Sequence, residues 1–205
     1  MEYNKLASKE VVENVVKALA ERNIEAMVVE NGAEALAKIK ELIPPGASVM
    51  NGSSRTLDQI GFVDYLKTGQ HDWNNLHAGV LAEKDSAKQK LLRKQAVISD
   101  YYLGSVHALS ETGEFIITSN TGSQLTHIAF TSPNLIFVVS TKKIVPTLSD
   151  AMSRLKEYVF PLENASIMAK YGRPTMISKI LTFEGENPSS GRKVRMLLVN
   201  EDLGF

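Results

Sequence analysis

Two short polar runs carry the clearest chemical signal in this chain: Asn51-Gly52-Ser53-Ser54-Arg55 and Asn120-Thr121-Gly122-Ser123. Each sits between a β-like run and a helix-like one. Glycine lets backbone come close to a ligand. Backbone N–H groups at a helix start carry partial positive charge. Ser and Thr hydroxyls donate, and Arg55 can hold a carboxylate or phosphate through two parallel hydrogen bonds. A third exit, Thr141-Lys142-Lys143, follows the apolar run LIFVVS, and Lys142 adds a cation there. Together these residues predict a site for a small anionic metabolite, a carboxylate or a phosphate. The same residue types also serve as helix caps and turns, and neither run matches a P-loop or dinucleotide fingerprint.

Acid–base candidates are few. His127 lies just behind the second polar run and is the candidate general acid or base. Glu111, in Ser110-Glu111-Thr112-Gly113-Glu114, is a candidate nucleophile, although a tight turn at Thr112-Gly113 would place it at the far end of its strand from Ser119. His107 reads as a strand residue. His71, Asp72 and His77 contain the residue types of a metal site, but their spacing does not support one, and no metal is expected. No Ser/His/Asp order, H-E-x-x-H or carboxylate pair stands out.

The elements that must position these residues follow from periodicity and breakers. Residues 5–22 have helical spacing, with Ser8 as a candidate cap. Residues 24–30 read as a strand and 33–42 as a helix, which Pro44-Pro45 ends. Residues 47–50 read as a strand leading into Asn51, and 55–67 as a helix. Residues 68–84, with the only Trp, are the least regular and are expected to form a lid or a flap packed on the body. A helix follows over 85–98. Two strands lie within 103–118, around VHAL and EFIIT. The strongest buried strand is LIFVVS, followed by helices near 147–159 and 163–170 and strands at KILTF and VRMLLVN. This order predicts one α/β domain over 1–205: an open, mostly parallel sheet with helices on both faces and a mixed antiparallel edge. In such sheets ligands bind beyond the carboxyl ends of the strands, so the three polar exits would share one rim.

Composition bounds the rest. The chain has 205 residues, 23 Lys+Arg against 23 Asp+Glu, and no cysteine. Zero cysteines exclude thiol chemistry and any iron–sulfur cluster held by this chain's own thiolates, and no cofactor is evident. Zero net charge argues against a nucleic-acid partner. The basic group Lys88, Lys90, Arg93 and Lys94 reads as a solvated helix face. The longest apolar run, Leu135 to Val139, is far below the ~20 residues that span a bilayer, and no signal peptide is visible at 1–10. The expectation is a cytoplasmic protein that does not enter membranes. Homo-oligomerisation stays open.

Four longer runs add a resemblance: SSRTLDQIGF (Ser53 to Phe62), SDYYLGSVHALSETG (Ser99 to Gly113), Ser119 to Phe130, and IFVVSTKKIVPTL (Ile136 to Leu148), with the terminal NEDLGF. From about residue 10 to the end the chain is similar to the LUD, or lactate-utilization, domain family. The resemblance implies a fold like the NagB/RpiA/CoA-transferase group and a role near the oxidation of lactate to pyruvate, beside iron–sulfur partner proteins. Larger members carry cysteine clusters, so this chain resembles the cluster-free, single-domain branch. That leaves three functional expectations: a binder of a small anion at the rim, a non-catalytic accessory subunit of an iron–sulfur lactate-oxidising complex docking around Trp73, or a CoA-transferase- or sugar-phosphate-isomerase-like enzyme. Two short echoes accompany the third. Ser110-Glu111-Thr112-Gly113 is similar to the Ser-Glu-Asn-Gly of some CoA transferases, and His127-Ile128-Ala129-Phe130 to a run in glucosamine-6-phosphate deaminases. Leu125 and Thr126 replace the aspartate and glycine expected before that histidine.

Overall fold

The computed structural model describes residues 2–205. Ten strands alternate with helices in this order: α1 (Lys9–Glu21), β1 (Glu25–Val29), α2 (Gly32–Leu42), β2 (Ser48–Asn51), α3 (Arg55–Gln59), α4 (Phe62–Thr68), β3 (Asn74–Asn75), α5 (Leu76–Ala82), α6 (Ser86–Gln95), β4 (Tyr101–Gly104), β5 (Ala108–Ser110), β6 (Phe115–Ser119), α7 (Ser123–Thr126), β7 (Asn134–Ser140), β8 (Ile144–Val145), α8 (Leu148–Arg154), α9 (Phe160–Tyr171), β9 (Lys179–Phe183) and β10 (Lys193–Val199). Wider π-turns extend α7 over His127–Thr131 and join α8 to α9 over Leu155–Val159.

Six strands form an all-parallel sheet in the order β1-β10-β7-β4-β2-β3. Its centre, β7 and β10, is apolar on both faces, as a parallel strand covered on both sides must be. Strand alternation divides these residues between two cores. Leu135, Phe137, Val139, Met196 and Leu198 pack with Val15 and Leu19 of α1. Ile136, Val138, Leu197 and Val199 pack with Ala35 and Ile39 of α2, Leu57 of α3 and Phe62 of α4. The predicted fold class holds: α/β, a parallel sheet, and helices on both faces. The antiparallel strands gather in a second, mixed sheet, β8-β5-β6-β9, which has its own small core against α8.

Helix boundaries follow local chemistry. Ser8 accepts from the Val11 N–H and starts α1, so residues 5–7 lie outside the helix. Asn31 caps α2 through the Glu34 N–H, and Thr147 and Asp150 form a reciprocal capping box on α8. Residues 101–104 are a separate strand, β4, inserted between β2 and β7 in the main sheet. The sequence reading of two strands over 103–118 merges its end with the hairpin that follows.

Segment 68–84 packs on the body and has regular structure of its own. It supplies β3, which extends the sheet edge beside β2, and then α5. Trp73 is tucked against the body. Its indole N–H donates to the Ile43 carbonyl at 3.2 Å, and its ring stacks on His71 and meets Tyr65 edge-on. An aromatic cluster replaces helical periodicity here, which is why the segment looked irregular. No helix among the described residues is long and apolar enough to cross a membrane.

Candidate functional site

A cleft of about 750 Å³ opens at the carboxyl ends of β2 and β4. The loop after β2 (Gly52 to Thr56) and the loop after β4 (Ser105 to His107) form one wall. The end of β6 with its following loop (Thr118 to Thr121, then Ser123 and Gln124) forms the second. The third wall is apolar and comes from the helix end and segment after β8: Leu155, Val159, Phe160, Ile167, Met176 and Ile177. The two polar runs, some 70 residues apart in sequence, therefore face one another.

Of the predicted binding residues, Ser53, Ser54, Arg55, Asn120, Thr121 and Ser123 line this cleft, as does Gly52. At Gly52 a side chain has no room: a Cβ would collide with the Tyr102 hydroxyl oxygen and would lie 2.8 Å from Gln124 Oε1. Asn51 and Gly122 stand just behind the walls. Asn51 is buried and hydrogen-bonds to His77 Nδ1 at 3.1 Å. Gly122 makes the turn, with φ +88° and its N–H donating to Ser119 Oγ at 2.9 Å.

The source of positive charge differs from the helix-start argument. The helix after the first polar run is only five residues long, too short for an aligned macrodipole. Ser54 Oγ is already used as a cap for Leu57 N–H. Charge comes instead from side chains. Arg55, Arg93 and Arg173 all line the cleft, all are exposed, and none forms a salt bridge among the described residues. Arg55 lies over the Phe205 ring, 4.7 Å from its centroid. Glu163 is the one acidic side chain in the lining. Burial pushes its carboxyl up, against the pull of Arg55.

Lys142 does not reach the cleft. Its ammonium pairs with Asp202 and donates to the Gly204 carbonyl at 3.0 Å, bracing the C-terminal segment. Its neighbour Lys143 is the lysine in the lining. A single 3-10 turn over Thr141–Lys143 separates the two directions, and no apolar alternation marks which lysine points where. Lys143 is 4% exposed, and its Nζ donates to Thr56 Oγ1 and Ser105 Oγ, both at 3.0 Å, and to the Val106 carbonyl at 3.3 Å. Burial, with the nearby charges of Arg154 and Lys142, lowers its pKa to about 7.

His107 sits beside it. The Thr118 N–H donates to His107 Nδ1 at 3.2 Å, so Nδ1 carries the lone pair and the neutral ring keeps its proton on Nε2. Burial and the cations Lys143 and Arg154 pull its pKa down to about 3. Arg154, fully buried, donates to the His107 and Phe205 carbonyls and fixes this corner. A neutral imidazole N–H next to an ammonium can polarise a carbonyl or stabilise an oxyanion. Sequence reasoning missed this pair, because a histidine in an alternating strand has no local signal.

The two catalytic candidates lie outside the cleft. His127 is 2% exposed, stacks on Tyr102 with centroids 4.6 Å apart, and shares Nδ1 with Ser132 and Ser99 hydroxyls at 3.0 and 3.3 Å. Burial lowers its pKa to about 4, so it is a neutral core group at pH 7. Glu111 sits at the hairpin turn between β5 and β6, its N–H bonded to the Val145 carbonyl, at the opposite end of β5 from His107. Its neighbour Glu114 pairs with Arg22. Arg93 was grouped with a solvated helix face, and Arg173 had no pattern around it. Only the third dimension brings them to the site.

Comparison with known proteins gives three findings. A family model described as the LUD domain matches residues 12–195. A solved DUF162 family protein from Deinococcus radiodurans superposes with a TM-score of 0.56 at 14% identity, covering 96% of this chain and 100% of that one. A ribose 5 phosphate isomerase A from Neisseria gonorrhoeae gives a TM-score of 0.41 at 12% identity, over 84% of this chain and 93% of that one. No curated protein matches the sequence.

Proposed function

The chain belongs to the LUD domain family, and on that premise we propose that this lactate-utilization-related protein binds a small anionic metabolite, a carboxylate or phosphate, in the cleft at the carboxyl rim of its parallel sheet. One observation carries this reading. Three guanidinium groups without ion-pair partners among the described residues and one buried lysine amine line a single cavity whose lining holds one acidic side chain. Unpaired like charges brought together repel one another, and a bound anion removes that cost. Arg55 and Arg173 would grip the anion, Ser53, Thr121 and Ser123 would donate hydroxyl hydrogen bonds, and Lys143 with His107 would face the ligand's polar core.

Thermal stabilisation tests the reading. A ligand at 100 times its dissociation constant adds about 2.7 kcal/mol to stability, a shift of several degrees for a chain of this size. Lactate, pyruvate, sugar phosphates, CoA esters and folates would be screened. At least one raises the melting temperature of the native protein, and the shift shrinks in Arg55→Ala, which itself melts within about a degree of the parent because Arg55 is exposed. Absence of any shift across the set defeats the proposal.

The accessory-subunit reading draws support from another surface. Ile98 is 79% exposed and Phe130 80%, on two segments joined by the Ser99–Ser132 hydroxyl hydrogen bond of 2.9 Å. Large apolar side chains left in water suit contact with a partner, alongside the surface around Trp73. Co-purification with an iron–sulfur protein, lost in Phe130→Ser, together with no ligand shift, would favour it.

A further inference from the structure

The apolar wall of the cleft is unusual. Helix α9 has twelve residues, and none is buried. Phe160, Glu163, Ile167 and Tyr171 recur at helical spacing and all line the cleft, so they form one face, with two aromatic rings and one aliphatic side chain around a single carboxyl. That face meets no core. Met176, 60% exposed, extends it past the helix end, while Ile177, also in the lining, packs against the small core of the mixed sheet. A helix normally earns its place by covering an apolar stripe; this one turns its stripe toward an open cavity.

Size points the same way. A three-carbon hydroxy acid has six non-hydrogen atoms and displaces about as much as four or five waters, on the order of 130 Å³. The cleft measures about 750 Å³, in the range that encloses much larger organic ligands. Charge adds a third constraint. Three guanidinium groups, with Lys143 partly protonated near pH 7, against one acidic side chain exceed what a single carboxylate neutralises.

We propose that the cleft takes an organic phosphate with two parts: a multiply charged head held by Arg55, Arg173 and the Ser53 and Ser123 hydroxyls, and an apolar or aromatic body seated on the inner face of α9. This rests on the anion-binding reading above and specifies its ligand class. The unburied stripe of α9 is completed by the ligand's body, so α9 with residues 172–177 acts as the cover that segment 68–84 was expected to provide. Lactate itself would fill only the head region.

Titration calorimetry on the intact protein tests this with 1-naphthyl phosphate, ribose 5-phosphate, inorganic phosphate, lactate and pyruvate. Naphthyl phosphate is expected to bind at least about tenfold more tightly than ribose 5-phosphate, from burial of its ring system. Ile167→Ser and Tyr171→Ser, both on the unburied helix, are expected to abolish that ratio while leaving ribose 5-phosphate affinity and the melting temperature unchanged. Arg173→Ala weakens both phosphates together. If lactate or ribose 5-phosphate binds as tightly as naphthyl phosphate, or if the ratio survives both α9 variants, the two-part ligand is wrong while anion binding stands. If none of the five binds, both readings fall.

Discussion

Replacing Lys143 with Met probes the floor of the cleft through the pH dependence of folding. In the native protein the amine titrates near pH 7, whereas in an unfolded chain it titrates near 10.4. Between these values the unfolded state binds the extra proton, so stability rises with pH across that window. Each pH unit well inside the window is worth about 1.4 kcal/mol. From pH 7 to 9, with the native group half-protonated at the start, the gain is about 2 kcal/mol. The site is 4% exposed, so solvent screening takes little from this figure. The oxygens of Thr56, Ser105 and Val106 accept from the protonated amine and favour the charged form, which makes about 2 kcal/mol an upper value. Urea denaturation at pH 7, 8 and 9 would measure it. The parent protein should gain stability relative to Lys143→Met by roughly that amount. A difference that is flat or that falls with pH would refute the claim that burial destabilises this ammonium. Taking the difference between the two proteins cancels the other titrating groups.

Further predictions concern neighbouring residues. His127 titrates near 4 in the fold and near 6.5 when unfolded, so the unfolded state binds the extra proton between these values and stability is lost as pH falls from 6.5 to 4, by about 3 kcal/mol. His127→Gln should remove that acid dependence in a denaturation series while leaving ligand affinity unchanged; a loss of affinity matched by an unchanged acid profile would restore it as a site residue. Gly52→Ala pushes a methyl group into the Tyr102 hydroxyl and Gln124; a cost of about 1–3 kcal/mol in stability and several-fold weaker anion binding are expected, measured by melting and titration. Both staying at parental values would show that the loop yields freely.

Much of the architecture was legible. LIFVVS announced the sheet's centre because a parallel strand covered on both faces has to be apolar throughout, and Ser8 and Pro44 marked helix ends because caps and prolines act locally. The polar runs at 51–55 and 120–123 could be found for the same reason: glycine and hydroxyls after a strand are a local pattern. Trp73 misled because an aromatic cluster made by contacts across Phe62, Tyr65 and His71 leaves no period in the sequence.

What sequence alone determined, then, is the central strands, the helices with clear apolar periods and the polar turns after them, since these depend on neighbours within a few positions; β3, β4 and α5, which lack such a pattern, it did not. Only the tertiary structure decided that Lys143 and not Lys142 faces the cleft, that Arg93 and the far more distant Arg173 join Arg55 in its lining, that His127 lies in the core, and that α9 lines the cleft. Those facts depend on how β2, β4 and β6 end beside one another and on which face of a helix meets them. No pattern along the chain encodes the direction of a side chain at the end of a one-turn helix, because the packing that fixes it comes from residues elsewhere in the chain.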